Sequence, residues 1–262
     1  MSEKSTTPAL FNAEVPESVD KAFQNLTGSL TQNIGTTLSD IWYLVFGGLS
    51  HLADKKKAKY AHSLKLFQED LESSIKKIPP EKQLAPSFQV TAQALENAKY
   101  CITEKELREM FTSLISNSLN SDFSKDVHPS FAEIIKQMSV LDAQILKIFK
   151  KSPPSGIPVC DYRLCSPDKK GYNTILENVF LGLPEIGLDR CSTSLSSLER
   201  LGILQIPYGT QLNPPEIYDA FKKHPWYSLL QIQFPAKQIE VEKRVAKLTP
   251  LGGSFVHVCV PD

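Results

Sequence analysis

Apolar residues recur at helical spacing through the first half of the chain. The pattern covers residues 16–52, 54–78, 84–100, 103–119 and 128–149. Because positions three and four apart share one face of a helix, each stretch predicts an amphipathic helix on a common core. Residues 1–15 are polar and predict a flexible N-terminus. We therefore expect a helical domain over residues 16–150.

Two capping signals mark helix starts within this half. Residues 103–106 (TEKE) and 139–142 (SVLD) both match the capping box, in which a hydroxyl and a carboxylate satisfy free backbone amides. The second signal divides VHPSFAEIIKQMSVLDAQILKIF, residues 127–149, into two helices that meet at Ser139. Asp142 then caps a helix, and Glu133 lies at the surface, so neither is assigned to catalysis.

The second half of the chain begins with a change in amino-acid composition. Residues 151–171 are rich in Pro, Gly and Ser, which predicts a loop or a domain boundary, and residues 172–183 fit a helix or a strand equally well. The next segments predict a helix that ends at Gly202, then a strand over residues 203–206. Residues 245–260 read as strand, turn and strand, because Phe255 and the valines that follow it are β-formers.

A winged-helix domain ends with a helix followed by a β-hairpin. We therefore predict a mainly α protein, α+β overall. An N-terminal multi-helix bundle is followed by a small winged-helix-like α/β domain over residues 151–262. The hairpin would contain a long insertion at about residues 207–239.

The charge balance lowers the expectation of a dedicated nucleic-acid binder. Lys+Arg number 29 and Asp+Glu number 29, whereas phosphate binding usually needs a basic excess. In a winged-helix domain, the helix that ends at Gly202 would be the recognition helix. It carries Arg200 next to Glu199, so it offers little positive charge to phosphate, and a protein-contact role for this domain is favoured. Its candidate nucleic-acid contacts are Ser192, Ser194, Ser196 and Arg200.

The most apolar segment of the chain covers residues 41–49. It is nine residues long, whereas a membrane-spanning helix needs about 20, so a buried helix with a Gly-Gly break is the favoured interpretation. The alternative is a segment that lies in a membrane interface, because lysines follow it directly. The candidate membrane contacts are Trp42, Tyr43, Phe46, Lys55, Lys56, Lys57 and Lys59.

Sequence motifs for catalysis, metal or cofactors are not found. Cys160 and Cys165 lack the second ligand pair that structural zinc requires. Neither a nucleophile elbow nor a glycine-rich phosphate loop occurs, so we expect no enzyme activity, no cofactor and no small-molecule substrate. Five scattered cysteines and the lack of a signal-peptide core predict a cytoplasmic protein, associated with a membrane at most on activation.

Several segments together resemble the abortive infection alpha family, a bacterial domain of otherwise unknown function. They are residues 78–119 (IPPEKQLAPSFQVTAQALENAKYCITEKELREMFTSLISNSL), residues 127–146 (VHPSFAEIIKQMSVLDAQIL), SLERLGILQI and KLTPLGGSFVHVC. The likeness runs from about Gly35 to Cys259. The long insertion and the polar N-terminus carry no signature of the family.

The resemblance implies a role in defence against bacteriophage, and it supplies no catalytic residues to transfer. The leading hypothesis is a non-enzymatic, mostly helical defence protein that acts through contacts with a partner protein or with further copies of itself. The alternatives are a membrane-perturbing effector that uses residues 41–49, and a nucleic-acid-binding regulator that uses the C-terminal domain.

Overall fold

A computed structural model describes residues 32–46, 54–166 and 171–261, with side chains described from residue 37 in the first range and residue 59 in the second. The predicted flexible N-terminus and the apolar residues 47–49 lie outside this described part. The N-terminal half is helical, as predicted. Its helices are α1 (Gln32–Phe46), α2 (Asp54–Lys76), α3 (Phe88–Ala98), α4 (Lys105–Ser118), α5 (Phe131–Gln137) and α6 (Val140–Lys151).

Helix α4 is the centre of the helical layer. Its predicted apolar stripe is buried, with Phe111, Leu114 and Ile115 fully inaccessible. The helix contacts α2, α3, α5 and α6, and also the last helix of the chain. Lys105 remains exposed and Glu109 half-buried on the other face, so the sequence of α4 shows the helical period clearly.

The second half contains an antiparallel sheet of four strands in the order β2-β1-β4-β3. Its strands are β1 (Ile157–Cys165), β2 (Tyr172–Val179), β3 (Leu204–Gln205) and β4 (Gln238–Leu248), and its helices are α7 (Leu188–Arg200), α8 (Asp219–Lys223), α9 (Pro225–Gln233) and α10 (Pro250–Cys259). The chain is therefore α+β overall.

The two faces of the sheet bury different partners. Ile157 and Val159 of β1 belong to the main hydrophobic cluster, which also contains residues of every helix from α1 to α7. Cys160 and Tyr162 point the other way and join a second cluster with the insertion. The main cluster extends to both sides of residue 150, for example where Phe131 meets Phe255 edge to face at 5.1 Å. The predicted domain boundary there stays a prediction.

The long insertion between β3 and β4 is fixed to the sheet by buried tyrosines. The Tyr162 hydroxyl of β1 donates to the Phe221 carbonyl at 2.7 Å, and the Tyr218 hydroxyl donates to the Arg244 carbonyl of β4 at 2.7 Å. Leu204 and Gln205 pair with Leu248 and Lys247. Strands β3 and β4 are therefore neighbours in the sheet, and the predicted winged-helix-like domain with an insertion at about residues 207–239 stays a prediction.

The predicted strand at the C-terminus is wrong. Residues 250–259 form helix α10, so the winged-helix-like arrangement is not confirmed. Thr249 caps the helix by accepting the Gly252 amide at 2.9 Å, Pro250 occupies the first turn, and Phe255 and Val258 are fully buried. Burial among helices overrides the β preference of the valines.

The two predicted capping boxes have different outcomes. At α6 the prediction is confirmed: the Asp142 amide donates to Ser139 Oγ at 3.1 Å, and the Ser139 amide donates to Asp142 Oδ2 at 2.7 Å. At α4 it is wrong, because the helix begins at Lys105 with Glu104 in the cap position and no side-chain cap. The capping-box sequence therefore forms its cap hydrogen bonds at the start of α6 and not at the start of α4.

We expect Ser139→Ala to lower the free energy of unfolding by about 1 kcal/mol, because an amide of α6 loses its acceptor. Thr103→Ala removes the same kind of group from a site without a cap, and its effect should stay below about 0.5 kcal/mol. Urea unfolding followed by circular dichroism measures both values. Equal losses in the two variants would show that the cap geometry does not determine the difference.

Candidate functional site

The candidate membrane contacts are divided between the core and the surface. Trp42 is 1% exposed, and its ring centroid lies 4.5 Å from Phe46 and 5.9 Å from Phe67 of α2. Tyr43 and Lys59 are exposed, whereas the side chains of residues 55–57 lie outside the described part. The two large apolar members, Trp42 and Phe46, are therefore packed into the protein. Within the described ranges, no helix combines the length and apolarity needed to cross a bilayer.

The candidate nucleic-acid contacts on α7 do not form one surface. Ser194 is buried, and its hydroxyl donates to Asp142 Oδ1 of α6. Ser196 is exposed and accepts a hydrogen bond from Asn178 Nδ2 at 3.3 Å. Ser192 is half-buried, and the exposed Arg200 donates to Gln137 Oε1 at 3.3 Å. Helix α7 thus packs between α6 and the sheet, and Ser194 is not available to a ligand.

The polar residues of the 127–149 segment are used for structure. His128 lies 2.7 Å from Ser130 Oγ in an exposed turn, and Glu133 accepts from Asn97 Nδ2 at 3.2 Å. Asp142 serves both the cap of α6 and the Ser194 hydroxyl. Across the described residues, no group of three His, Cys, Asp or Glu side chains is placed to hold a metal ion.

A buried polar cluster that the sequence analysis missed lies on one face of the sheet. Asp161 and Arg163 of β1 point to the same side as Arg244 of β4, and Asn178 of β2 borders them. Asp161 is 1% exposed, and Arg244 is 3% exposed. Buried charged groups lose their hydration and need hydrogen-bond or ion-pair partners to offset that loss, so their contacts determine the local structure.

Arg244 makes the central contacts of this cluster. Its Nη1 lies 3.2 Å from both carboxylate oxygens of Asp161 and 3.1 Å from Asn178 Oδ1. Its Nη2 donates to the Ile206 carbonyl, directly after β3. A planar guanidinium can serve several acceptors at once, and here it links β1, β2 and the end of β3.

Asp161 is also held by two further groups. The Asn178 backbone amide donates to Asp161 Oδ1 at 3.0 Å. Asn178 has a φ of +50°, a backbone region that Asn tolerates better than most residues. Arg163 Nη2 lies 3.6 Å from Oδ2, while its Nη1 lies 3.1 Å from Glu242 Oε2. Both arginines are therefore fixed by carboxylates.

An exposed tyrosine covers each arginine. The guanidinium carbon of Arg163 lies 4.3 Å from the ring centroid of Tyr172, and that of Arg244 lies 4.1 Å from the ring centroid of Tyr208. Tyr172 is 57% exposed and Tyr208 68% exposed. We call Asp161, Arg163, Arg244 and these two rings the arginine–tyrosine cluster. It presents two aromatic rings to solvent over buried charged groups.

The sequence contained one signal for this cluster. Asp161 and Arg163 are two positions apart, which places them on one face of a strand. That signal was hidden because residues 151–171 were interpreted as a loop from their Pro, Gly and Ser content. Strand β1 begins directly after Gly156, so the breakers precede the strand rather than interrupt it.

None of the five cysteines forms a disulfide, and all five are buried. Burial raises the pKa of the Cys101, Cys160, Cys191 and Cys259 thiols above the ordinary value of 9.0. Burial disfavours a charged thiolate, so these groups are protonated at neutral pH and behave as small apolar core residues.

Comparison with models of protein families gives one result that covers most of the chain. The model described as "Abortive infection alpha" matches residues 59–259. The chain belongs to the abortive infection alpha family. This confirms the resemblance inferred from the sequence segments. The search of curated proteins and the search of solved structures gave no match.

The arginine–tyrosine cluster lies inside the part of the chain that the abortive infection alpha model matches, whereas Trp42 and Phe46 precede it. The family assignment indicates a setting of abortive infection defence. It assigns no role to individual residues.

Arg244→Met should lower the free energy of unfolding by about 3–5 kcal/mol, because Asp161 keeps a buried charge without its main partner. Adding Asp161→Asn removes that charge, and we expect the double variant to regain at least about 1 kcal/mol. Urea unfolding of the two single variants and the double variant gives the coupling energy. Additive losses would show that the pair does not act as a unit.

Stability should also fall at alkaline pH. The unfolded chain releases thiol protons near pH 9, whereas the folded state retains them, so the stabilisation is complete below that pH and is lost as pH rises. We expect the free energy of unfolding to be constant up to about pH 8 and to decline as the pH rises further to about 10. Cys259→Ala should reduce this decline, and an unchanged slope would contradict the contribution of Cys259.

Proposed function

We propose that this protein acts in abortive infection defence by binding a partner protein at the surface formed by Tyr172 and Tyr208, without catalysing a reaction. Membership of the family supports the biological setting. The observation that carries the binding surface is the pair of exposed rings fixed over buried arginines. Cysteines without disulfides are consistent with a cytoplasmic location, which belongs to the same proposal.

Tyrosine is well suited to protein recognition. It offers a large apolar ring and a polar tip while losing few rotamers, and it is enriched among residues that dominate binding energy. Most exposed side chains must be immobilised when a partner binds. Here the arginines under Tyr172 and Tyr208 already hold the rings, which lowers that entropic cost.

The surroundings of Tyr172 add backbone groups to this surface. Tyr172 begins β2, which is an edge strand of the described sheet, and the first half of β2 is exposed or half-buried. An edge strand offers amides and carbonyls to an extended segment of another chain. The proposed surface therefore combines two aromatic anchors with hydrogen-bonding groups.

The membrane and nucleic-acid alternatives receive less support at their original sites. Insertion of residues 41–49 would require Trp42 and Phe46 to leave the core, and Trp42 would lose its contact with Phe67. If α7 bound nucleic acid, Ser194 would not contribute, because its hydroxyl donates to Asp142. By contrast, binding at the tyrosines requires no change of fold.

Replacing both rings tests the proposal. The Tyr172→Ala/Tyr208→Ala variant should fold normally, because both side chains are exposed, and it should lose phage protection measured as efficiency of plaquing. If each ring is a dominant contact, each single change weakens partner binding by roughly thirtyfold. A photo-crosslinking residue at position 208 should capture a partner in infected cells.

Tyr100→Ala is the matched control. Tyr100 is equally exposed and also has a cation over its ring, Lys136 at 5.5 Å, but it follows α3 and is not part of the sheet. This variant should keep full protection. Protection that persists in the double variant at normal protein levels, or that is lost equally in the Tyr100 variant, would refute the proposed surface.

A further inference from the structure

A cleft lies between the loop that joins β2 to α7 and the start of helix α9. Its volume is about 250 Å³, and its walls are mostly apolar, with Leu183 and Ile186 on the loop and Trp226 on α9. Phe180, which also lines the cleft, belongs to the main hydrophobic cluster, whereas Leu188 belongs to the second cluster. The cleft is therefore an unfilled space where the two clusters meet.

Both walls of the cleft are held in place by local contacts. A Cβ atom on Gly182 would lie 2.1 Å from Cζ of Phe180, so the ring packs directly against the loop backbone, and only glycine permits this approach. On the other side, the Trp226 amide donates to Nδ1 of His224 at 3.3 Å, which holds the imidazole at the start of α9. A site with fixed walls loses little entropy when a ligand enters.

Glu185 gives the cleft a hydrogen-bond acceptor. Its side chain lines the cleft, is exposed, and forms no hydrogen bond or ion pair with a described residue. An ionised carboxylate can only accept, so a ligand must bring a donor to it.

The charges around the cleft do not select an ion. Residues 180–190 and 219–227 form its two sides and contain three acidic and three basic side chains: Glu185, Asp189 and Asp219, and Arg190, Lys222 and Lys223. Because these charges balance, the surroundings favour neither an anionic nor a cationic ligand.

The volume of the cleft indicates the size of its ligand. A dry cavity of about 150 Å³ lined by Leu, Ile and Phe holds one benzene molecule. A cleft of about 250 Å³ with similar walls therefore has room for two fused rings, or for one ring with a small substituent. The indole of Trp226 offers a flat surface against which such a ring can pack.

We propose that this cleft binds a small uncharged aromatic molecule that carries a hydrogen-bond donor. The ring enters between Trp226 and the loop residues Leu183 and Ile186, and its donor group faces the Glu185 carboxylate. The site shares no residue with the arginine–tyrosine cluster, so it is separate from the proposed protein-binding surface. A ligand here contacts the β2–α7 loop and the insertion together, and it therefore stabilises their packing.

Nuclear magnetic resonance titration of the full chain with indole tests the site. The chain has two tryptophans, of which Trp42 is buried and Trp226 exposed, so isotope-labelled protein gives a side-chain N–H signal from each. Indole should shift the Trp226 signal with a Kd of about 0.1–1 mM and leave the Trp42 signal unchanged. Benzofuran has the shape of indole but lacks the N–H donor, and it should bind about tenfold more weakly.

Two variants test the contacts, each with a matched control. Glu185→Gln should weaken indole binding by about fivefold, because the charged acceptor is lost, whereas Glu216→Gln changes an exposed carboxylate that does not line the cleft and should have no effect. Trp226→Ala removes one wall and should abolish saturation transfer from the protein to indole. Leu229→Ala, on the exposed side of the same helix, should leave that transfer unchanged.

Three outcomes would overturn the proposal: no shift of the Trp226 signal, equal binding of indole and benzofuran, or equal losses in the control variants. Tighter binding of tryptamine or indoleacetate than of indole would also overturn it, because the cleft would then select a charged ligand. The tyrosine double variant should bind indole like the wild type, so failure of the cleft and failure of the protein-binding surface remain distinguishable.

Discussion

The ion pair between Arg244 and Asp161 is the contact on which the sheet half of the molecule depends. It lies where three strands meet, and the same guanidinium reaches the carbonyl that follows β3. Two charges at this depth lose most of their hydration, and only several simultaneous hydrogen bonds offset that loss. The pair therefore specifies one arrangement of β1, β2 and β4. It also holds the arginine over which the exposed Tyr208 ring lies.

The helical half could be predicted from sequence because its information is local. The apolar stripe of α4 repeats with the helical period, and the Ser139–Asp142 cap lies within four residues. Local signals still fail where packing decides the outcome. Thr103 has the right spacing but lies before the point at which α4 begins, and the valines of α10 favour a strand in isolation yet are buried among helices.

The arginine–tyrosine cluster could not be predicted for a different reason. Asp161 accepts its hydrogen bonds from residues 17 and 83 positions away in the chain. A pattern of period two can place Asp161 and Arg163 on one face, but it cannot identify the strand that lies beside them. The exposed side of α9 was not predicted because residues 207–239 were assigned only as an insertion, and only the fold shows which side of the helix is covered.

The position of the insertion has an evolutionary consequence. It leaves the sheet after β3 and returns at β4, and these strands are direct neighbours, so its length does not change the register of the sheet. Tyr218, Phe221 and Leu230 are buried in the cluster that attaches it to the strands, and Leu212, Tyr227 and Phe234 pack against that cluster. Related chains could replace everything between these anchors and keep the same scaffold. A change of sequence or length in this segment is therefore compatible with a constant core.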